Sequence, residues 1–195
     1  MWGNVKVKTP GALPLQAADL RRKLRIDSAE EDDLLRDLIA GAAAEIEGPD
    51  GLGIAMMAQT WTLGLDGWQG GEIELPGWPV TGVAAVRYTD PEGVEQVLDA
   101  AAYRVITSQE PARLVKANGA SWPTTAWGRG VVEVDYTLGR ATAAEVDRGL
   151  VVALMLTAGH WYENREAVVV GQPAAELPLG AQHILARFRR GYAAA

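Results

Sequence analysis

The residues that could do chemistry in this 195-residue chain are mostly acids, because it has no cysteine and only two histidines, His160 and His183. Disulfides, thiolate metal sites, iron–sulfur clusters and cysteine nucleophiles are therefore excluded, and a multi-histidine metal centre is disfavoured. His160 and Glu163 stand at i, i+3, half of an acid/base or metal site. The remaining ligands are missing, and a histidine in the last turn of a helix also suits the helix dipole. Glu72/Glu74 and Glu133/Asp135 are i, i+2 pairs, each on one face of a strand with side chains roughly 7 Å apart, a spacing compatible with glycosidase carboxylates. Alternating acids on an exposed strand face account for them more simply. Glu30, Glu31, Asp32 and Asp33 are consecutive on a helix and point all round it, so they do not converge on one cation. There is no Walker A loop, G-x-S-x-G, H-E-x-x-H or G-x-G-x-x-G, and Gly51-Leu52-Gly53 follows a helix and reads as a loop.

Two further groups are interaction chemistry rather than catalysis. Five of the seven tryptophans, Trp61, Trp68, Trp78, Trp122 and Trp127, fall in one β-rich stretch. They suit stacking on sugars or bases, a protein interface, or the filling of a thin core. Nucleobase stacking is the weaker of these because the stretch is net acidic. Arg187-Phe188-Arg189-Arg190 reads as a docking peptide, a nucleic-acid patch, or bases placed to suit a helix C-terminus.

The elements that must position these groups fall into three blocks. In residues 1–57, an extended or mobile start containing Pro10, Gly11 and Pro14 precedes a short helix over Leu15–Leu24. A stronger helix opens at a capping box, Ser28 to Glu31, carries Leu34, Leu38, Ala42 and Ile46 on one stripe, and ends at Gly48-Pro49. Residues 58–140 switch to period two. Short strands are expected at 61–65, 72–75, 83–88, 94–98, 103–107, 113–116 and 132–136, separated by Asp-Gly, Pro-Gly and Asn-Gly turns. In residues 141–195 a second capping box, Thr142 to Glu145, opens an apolar helix running to about Trp161. A loop containing Pro173 and Pro178 leads to a last helix over 180–190. The fold class is α+β: a bundle of about four helices interrupted by a β-rich antiparallel insert.

Charge is distributed unevenly around a net of −7. Residues 1–26 hold six bases and one acid, residues 27–50 hold nine acids and Arg36 alone, and the last fifteen residues hold three arginines and no acid. An acidic body argues against a surface that grips nucleic acid, which needs clustered Lys and Arg. The start has no secretory pattern, and the longest apolar run, Gly149–Gly159, spans 11 residues against the roughly 20 a bilayer requires. The reading is a protein that folds in the cytoplasm without a membrane anchor.

One stretch carries a family resemblance. Thr157-Ala158-Gly159-His160-Trp161-Tyr162-Glu163-Asn164-Arg165-Glu166-Ala167-Val168 resembles the signature of the head–tail connector (adaptor, or head-completion) proteins of tailed bacteriophages, found also in gene transfer agents. Leu177-Pro178 with an arginine-ending helix is similar too, as is Leu24-Arg25-Ile26-Asp27 followed by acids and a leucine-rich helix. The resemblance covers roughly 15–48 and 142–190.

It implies a structural protein, not an enzyme, with no cofactor and no metal. Its subunits would form a ring, usually twelve-fold, beneath the portal at the head–tail junction. The ring would bridge portal to a neck, tail-completion or stopper protein, with DNA passing through its lumen. The segment around Arg187, Phe188, Arg189, Arg190 and Tyr192 would dock on the portal. The acids Glu30, Glu31, Asp32, Asp33 and Asp37 would then line a lumen that lets DNA pass unbound. Another neck or tail-completion protein with the same helical core, and a carbohydrate-acting enzyme using the paired carboxylates, are the competing readings.

Overall fold

The computed structural model describes residues 4–164 and 177–189. The chain opens with β1 (Val5–Thr9), then α1 (Ala17–Leu24) and α2 (Asp32–Ile46). Seven strands follow: β2 (Gln59–Leu65), β3 (Glu72–Leu75), β4 (Val80–Thr89), β5 (Glu95–Val97), β6 (Tyr103–Ile106), β7 (Ala112–Lys116) and β8 (Val132–Leu138). The helices α3 (Arg148–Glu163) and α4 (Leu179–Ala186) complete the order. The fold is α+β, as the periodicity implies.

All strand pairs are antiparallel and build two sheets, β1-β2-β8-β4-β5 and β3-β7-β6. The alternation seen in sequence becomes burial directly. Trp61, Leu63 and Leu65 of β2 face inward, as do Val132, Val134, Tyr136 and Leu138 of β8. They meet Ile73, Leu75 and Leu114 of the smaller sheet in one core. The helices build a second core from Leu20, Leu35, Ile39, Ile46, Leu150, Leu154, Leu185 and Phe188. Residues 54–56 run between the two. Ile54 and Met56 enter the helical core while Ala55 enters the β core, the period-two alternation of an extended chain put to use on two sides.

Backbone hydrogen bonds fix this junction. Ala55 N–H donates to the Trp78 carbonyl (2.9 Å), Ala58 N–H to Arg140 (2.8 Å), and Arg140 N–H to Met56 (3.1 Å). Gly139 sits at φ +99, and a Cβ there would lie 2.1 Å from the Met57 oxygen, so the close approach requires glycine. The Glu47 carboxylate accepts from Met56 N–H. Burial pushes this carboxyl up, against the hydrogen bonds it accepts from Met56, Gln59 and Met57.

Several boundaries differ from the sequence reading. The N-terminal segment is ordered as β1 because Val5 is buried against β2. The Ser28 capping box does not form. Ser28 Oγ instead accepts from Glu30 N–H at 3.1 Å, and α2 starts four residues later. Its partner Glu31 is occupied elsewhere, accepting a hydrogen bond from the Tyr162 hydroxyl. The Thr142–Glu145 box is real but closes a single 3-10 turn over Ala143–Glu145. Val146 is extended, and α3 begins beyond it, where the Asp147 carboxylate accepts from Gly149 N–H at 2.7 Å. The last helix ends at Ala186, not near residue 190.

On its outer face the larger sheet is crossed by an ionic network. The Asp135 side chain, 5% exposed, takes hydrogen bonds from Lys8 Nζ (2.5 Å, β1), Thr62 Oγ1 (2.6 Å, β2) and Arg87 Nη1 (2.7 Å, β4). The same guanidinium reaches Glu133 (2.9 Å). Four adjacent strands are thereby tied through one carboxylate. Burial alone would raise the Asp135 pKa, but Arg87, Lys8 and Thr62 together hold it well below the usual carboxylate range.

The sign of its pH dependence follows. As pH falls below about 4 the unfolded chain binds a proton here that the folded protein still refuses. The stabilisation is full at neutral pH and drains as pH falls from about 4 towards the depressed native value. Asp135→Asn is expected to cost about 2 kcal/mol near neutral pH, less than for a fully buried pair because Lys8 stays half exposed. In urea denaturation the gap between variant and parent should narrow on acidification. A gap that stays constant with pH would refute the charge-based account.

Candidate functional site

The residues singled out in sequence are not gathered into one pocket. In the last turn of α3, Asn164 closes the helix. Its backbone N–H (3.0 Å) and side-chain Nδ2 (2.9 Å) both donate to the His160 carbonyl, and Nδ2 lies 3.1 Å from His160 Nδ1. Among the described residues no group of three His, Cys, Asp or Glu side chains could hold a metal ion, so His160 and Glu163 gain no further ligands. Trp161 packs into the helical core against α2. A methyl group on Gly41 would come within 3.2 Å of its ring, so the bare backbone at that position leaves the slot the indole fills. The Trp161 Nε1 is buried without a hydrogen-bond partner among the described residues. Tyr162 reaches Glu31 across the gap between α3 and the start of α2. These motif residues staple helices together. Arg165 and Glu166 lie outside the described residues.

The acids at the start of α2 divide into two sets. Glu31 is held by Tyr162, and Asp32 lies 3.2 Å from Arg21 Nε of α1. Glu30, Asp33 and Asp37 are exposed, with Asp33 paired to Arg36 at 2.7 Å. At the other end Phe188 is buried in the helical core, while Arg187 and Arg189 are exposed. Phe188 is therefore engaged within its own chain, and the basic character offered to solvent there comes from the two arginines. Arg190 and Tyr192 lie outside the described residues.

The paired carboxylates are each bridged by one arginine from a neighbouring strand. Arg113 binds Glu72 (2.5 Å) and Glu74 (3.1 Å), as Arg87 binds Glu133 and Asp135. A general acid must keep a proton near neutral pH. Asp135, held far below that range, is unsuited to the role. The cleft beside Trp78, about 290 Å³, is lined by Thr107, Ser108, Gln109 and Glu110, and another of about 480 Å³ lies between β1 and α2, where Glu47, Asp50 and Gln59 are the polar side chains over a mainly apolar wall.

The tryptophans serve mostly as filler. Trp61 is fully buried, edge-on to Tyr136 at 6.3 Å, and its Nε1 donates to Gln59 Oε1 at 2.8 Å. Trp68 and Trp122 stack at 4.6 Å and donate to the Pro123 and Gly70 carbonyls, fastening the long loop before β8. Trp78 lies under the Arg140 guanidinium. Trp127 alone of these five stands fully in solvent. What the sequence did not disclose is the Lys8–Asp135–Arg87 network. Its only trace there is the alternate charges of β1 and β8 and the single Arg87 of β4, far apart in the chain.

The chain is similar to a chain from the neck of an empty gene transfer agent particle with C6 symmetry, at TM-score 0.74 and 29% identity over 97% of this chain and 98% of that one. It matches a chain of the virion of the native particle at TM-score 0.73 and 29% identity, with the same coverage. A chain from the neck of the native particle with C12 symmetry gives TM-score 0.68 and 28% identity, again with that coverage. No protein-family model and no curated protein matches. The helices and both sheets are thus shared with gene transfer agent neck and virion components, in agreement with the resemblance carried by the 157–168 motif.

The stapling role of that motif is open to direct measurement. Tyr162→Phe removes a hydrogen bond to a charged acceptor and is expected to cost about 1.5 kcal/mol of stability. Urea denaturation of the variant would measure this, and an unchanged midpoint would show that the Tyr162–Glu31 contact contributes nothing.

Proposed function

We propose that this chain is a structural neck subunit of a gene transfer agent or phage-like particle, a head–tail adaptor that assembles as a ring between the portal and the next neck or tail-completion protein. The observation that carries the reading is the likeness to neck chains along essentially the full length of both partners. A likeness confined to the helices would have left the β-rich part unassigned. The C6 and C12 symmetries of those assemblies favour a homo-oligomeric ring, most simply of twelve subunits.

The adaptor role gives the exposed charges a purpose. Exposed Glu30, just before α2, and Asp33 and Asp37 on it suit a lumen through which DNA slides, because a wall without clustered Lys and Arg releases no counterions and holds no phosphate. Exposed Arg187 and Arg189, continued in sequence by Arg190 and Tyr192, suit docking on the portal. In this reading the chain acts by shape and self-association and catalyses nothing. The acid pairs bridged by Arg87 and Arg113 are structural.

Native mass spectrometry of the purified chain, alone and mixed with its portal protein, tests the proposal. A closed multimer in either condition, of twelve subunits in the simplest case, is the expected result. A monomer indifferent to portal would overturn the adaptor reading. A ring whose lumen proved to be lined by lysine and arginine would overturn the role given to the α2 acids.

A further inference from the structure

The five-stranded sheet is open at both sides. Its edges are β1 and β5, and among the described residues each pairs with one strand only. Unpaired edges are templates for another strand unless something covers or blunts them. Both of these also leave apolar side chains in water. Val7 on β1 is 41% exposed, and Val94 and Val97 at the β4–β5 hairpin are 53% and 70% exposed.

The two edges carry opposite charge. Residues 4–9 contain Lys6 and Lys8 and no acid, whereas residues 90–99 contain Asp90, Glu92, Glu95 and Asp99 and no base. Register places the relevant groups on one face. Lys6 aligns with Thr62, which aligns with Asp135, while Val97 aligns with Arg87 and Glu95 with Thr89. Lys6, Glu95 and Val97 therefore stand on the outer face that carries Asp135 and Arg87, away from the shared core. The hairpin tip is held rigid in advance. The Asp90 carboxylate accepts from the N–H groups of Glu92 (3.1 Å) and Val94 (2.8 Å) and from Gln96 Nε2 (2.9 Å). A preformed tip loses little freedom on docking.

We infer that β5 of one subunit pairs with β1 of a second copy of this chain, so that the sheet runs on across each subunit boundary. The inference rests on the ring reading above and assigns its contact surface. A cyclic assembly joins two different patches of the same chain head to tail, and two oppositely charged edges of one sheet meet that need. Because all four pairings between β1 and β5 are antiparallel, both edges run in the same direction. The new pair is parallel, which requires no connecting loop when the strands belong to different chains. Glu95 then faces the Lys6 side of its neighbour, an opposite-charge pair across strands. Two-fold pairing of β1 with β1, or of β5 with β5, would instead set like charges together.

The chain has no cysteine of its own, so single-cysteine variants report contacts cleanly. Lys6→Cys and Val97→Cys chains are mixed and treated with a short bis-maleimide, alone and with portal protein present. These positions lie at opposite edges of the sheet, so any link between them joins two chains. Linked Lys6→Cys/Val97→Cys pairs are the expected product. A second measurement uses charge exchange. Glu95→Lys and Lys6→Glu should each reduce the multimer at least tenfold in native mass spectra, and an equimolar mixture should restore it, because every boundary in an alternating ring again pairs opposite charges.

A multimer that forms without the mixed crosslink, or one that links only Val97→Cys to Val97→Cys, overturns the edge contact and leaves the ring reading standing. Multimer unaffected by either charge reversal also overturns the edge contact. A monomer under all conditions, including with portal, overturns both.

Discussion

The larger sheet depends on how one buried carboxylate is satisfied. Asp135 sits mid-strand in β8, the centre of the five-stranded order, and its side chain is nearly inaccessible. An ionised carboxylate taken out of water is strongly destabilising unless paired and hydrogen-bonded. Here three donors from three strands reach it, and every one depends on the register that brings its strand alongside. The network thus penalises alternatives more than it adds net stability. A one-residue slip of β1 or β4 would carry Lys8 or Arg87 to the opposite face and leave the charge unpaired. Open sheets with polar outer faces specify register weakly on hydrophobic pattern alone. The ionic network adds the missing specification on this outer face.

The helical part is organised by a different constraint, close approach of helices around α3. Gly41 on α2 admits the Trp161 ring, and Gly159 on α3 lies where a Cβ would be 3.4 Å from Leu24 of α1. Glycine inside a helix costs about 1 kcal/mol relative to alanine, so these positions make sense through the packing they permit. Trp161, Tyr162 and Asn164 then act in three directions from one turn: into the core, across to Glu31, and back onto the His160 carbonyl. That economy gives three chemistry-bearing side chains of one turn a structural use.

Much of this was legible in the sequence, and the failures share one cause. Period-two alternation placed β3 and the middle of β2 and β8 well, because a strand with one buried face writes its burial into consecutive residues. Of the two capping boxes that the sequence suggests, one forms, and it caps a different element from the one expected. Thr142 and Glu145 do form a reciprocal box, but such a box fits a 3-10 turn as well as an α-helix. Ser28 lost its partner because Glu31 is claimed by Tyr162, 131 residues away. The same holds for the candidate sites. Glu133 and Asp135 read as acids alternating on an exposed face, which their spacing supports. Asp135 is instead buried by Lys8 and Arg87, neither of which is near it in the chain. Nothing within a window of residues distinguishes an acid that meets water from one that meets a distant base.

The junction between the two cores sets how the parts work together. Ile54, Ala55 and Met56 are almost wholly buried, yet they belong to different cores by turns. A segment of this kind has no side that can relax. Displacing it toward the helices uncovers Ala55, and displacing it toward the sheets uncovers Ile54 and Met56. Its backbone is held by Trp78 and Arg140 on one side and by the Glu47 carboxylate on the other. Glu47 tolerates burial, despite the raised pKa this imposes, because backbone N–H groups of the same segment supply its hydrogen bonds. The end of α2 and the first strand of the β-rich part are therefore coupled through a few buried residues. A force on the helical core reaches the sheets through packing and hydrogen bonds, not through a loose linker. Such coupling suits a subunit that must keep its contact surfaces at fixed positions relative to one another.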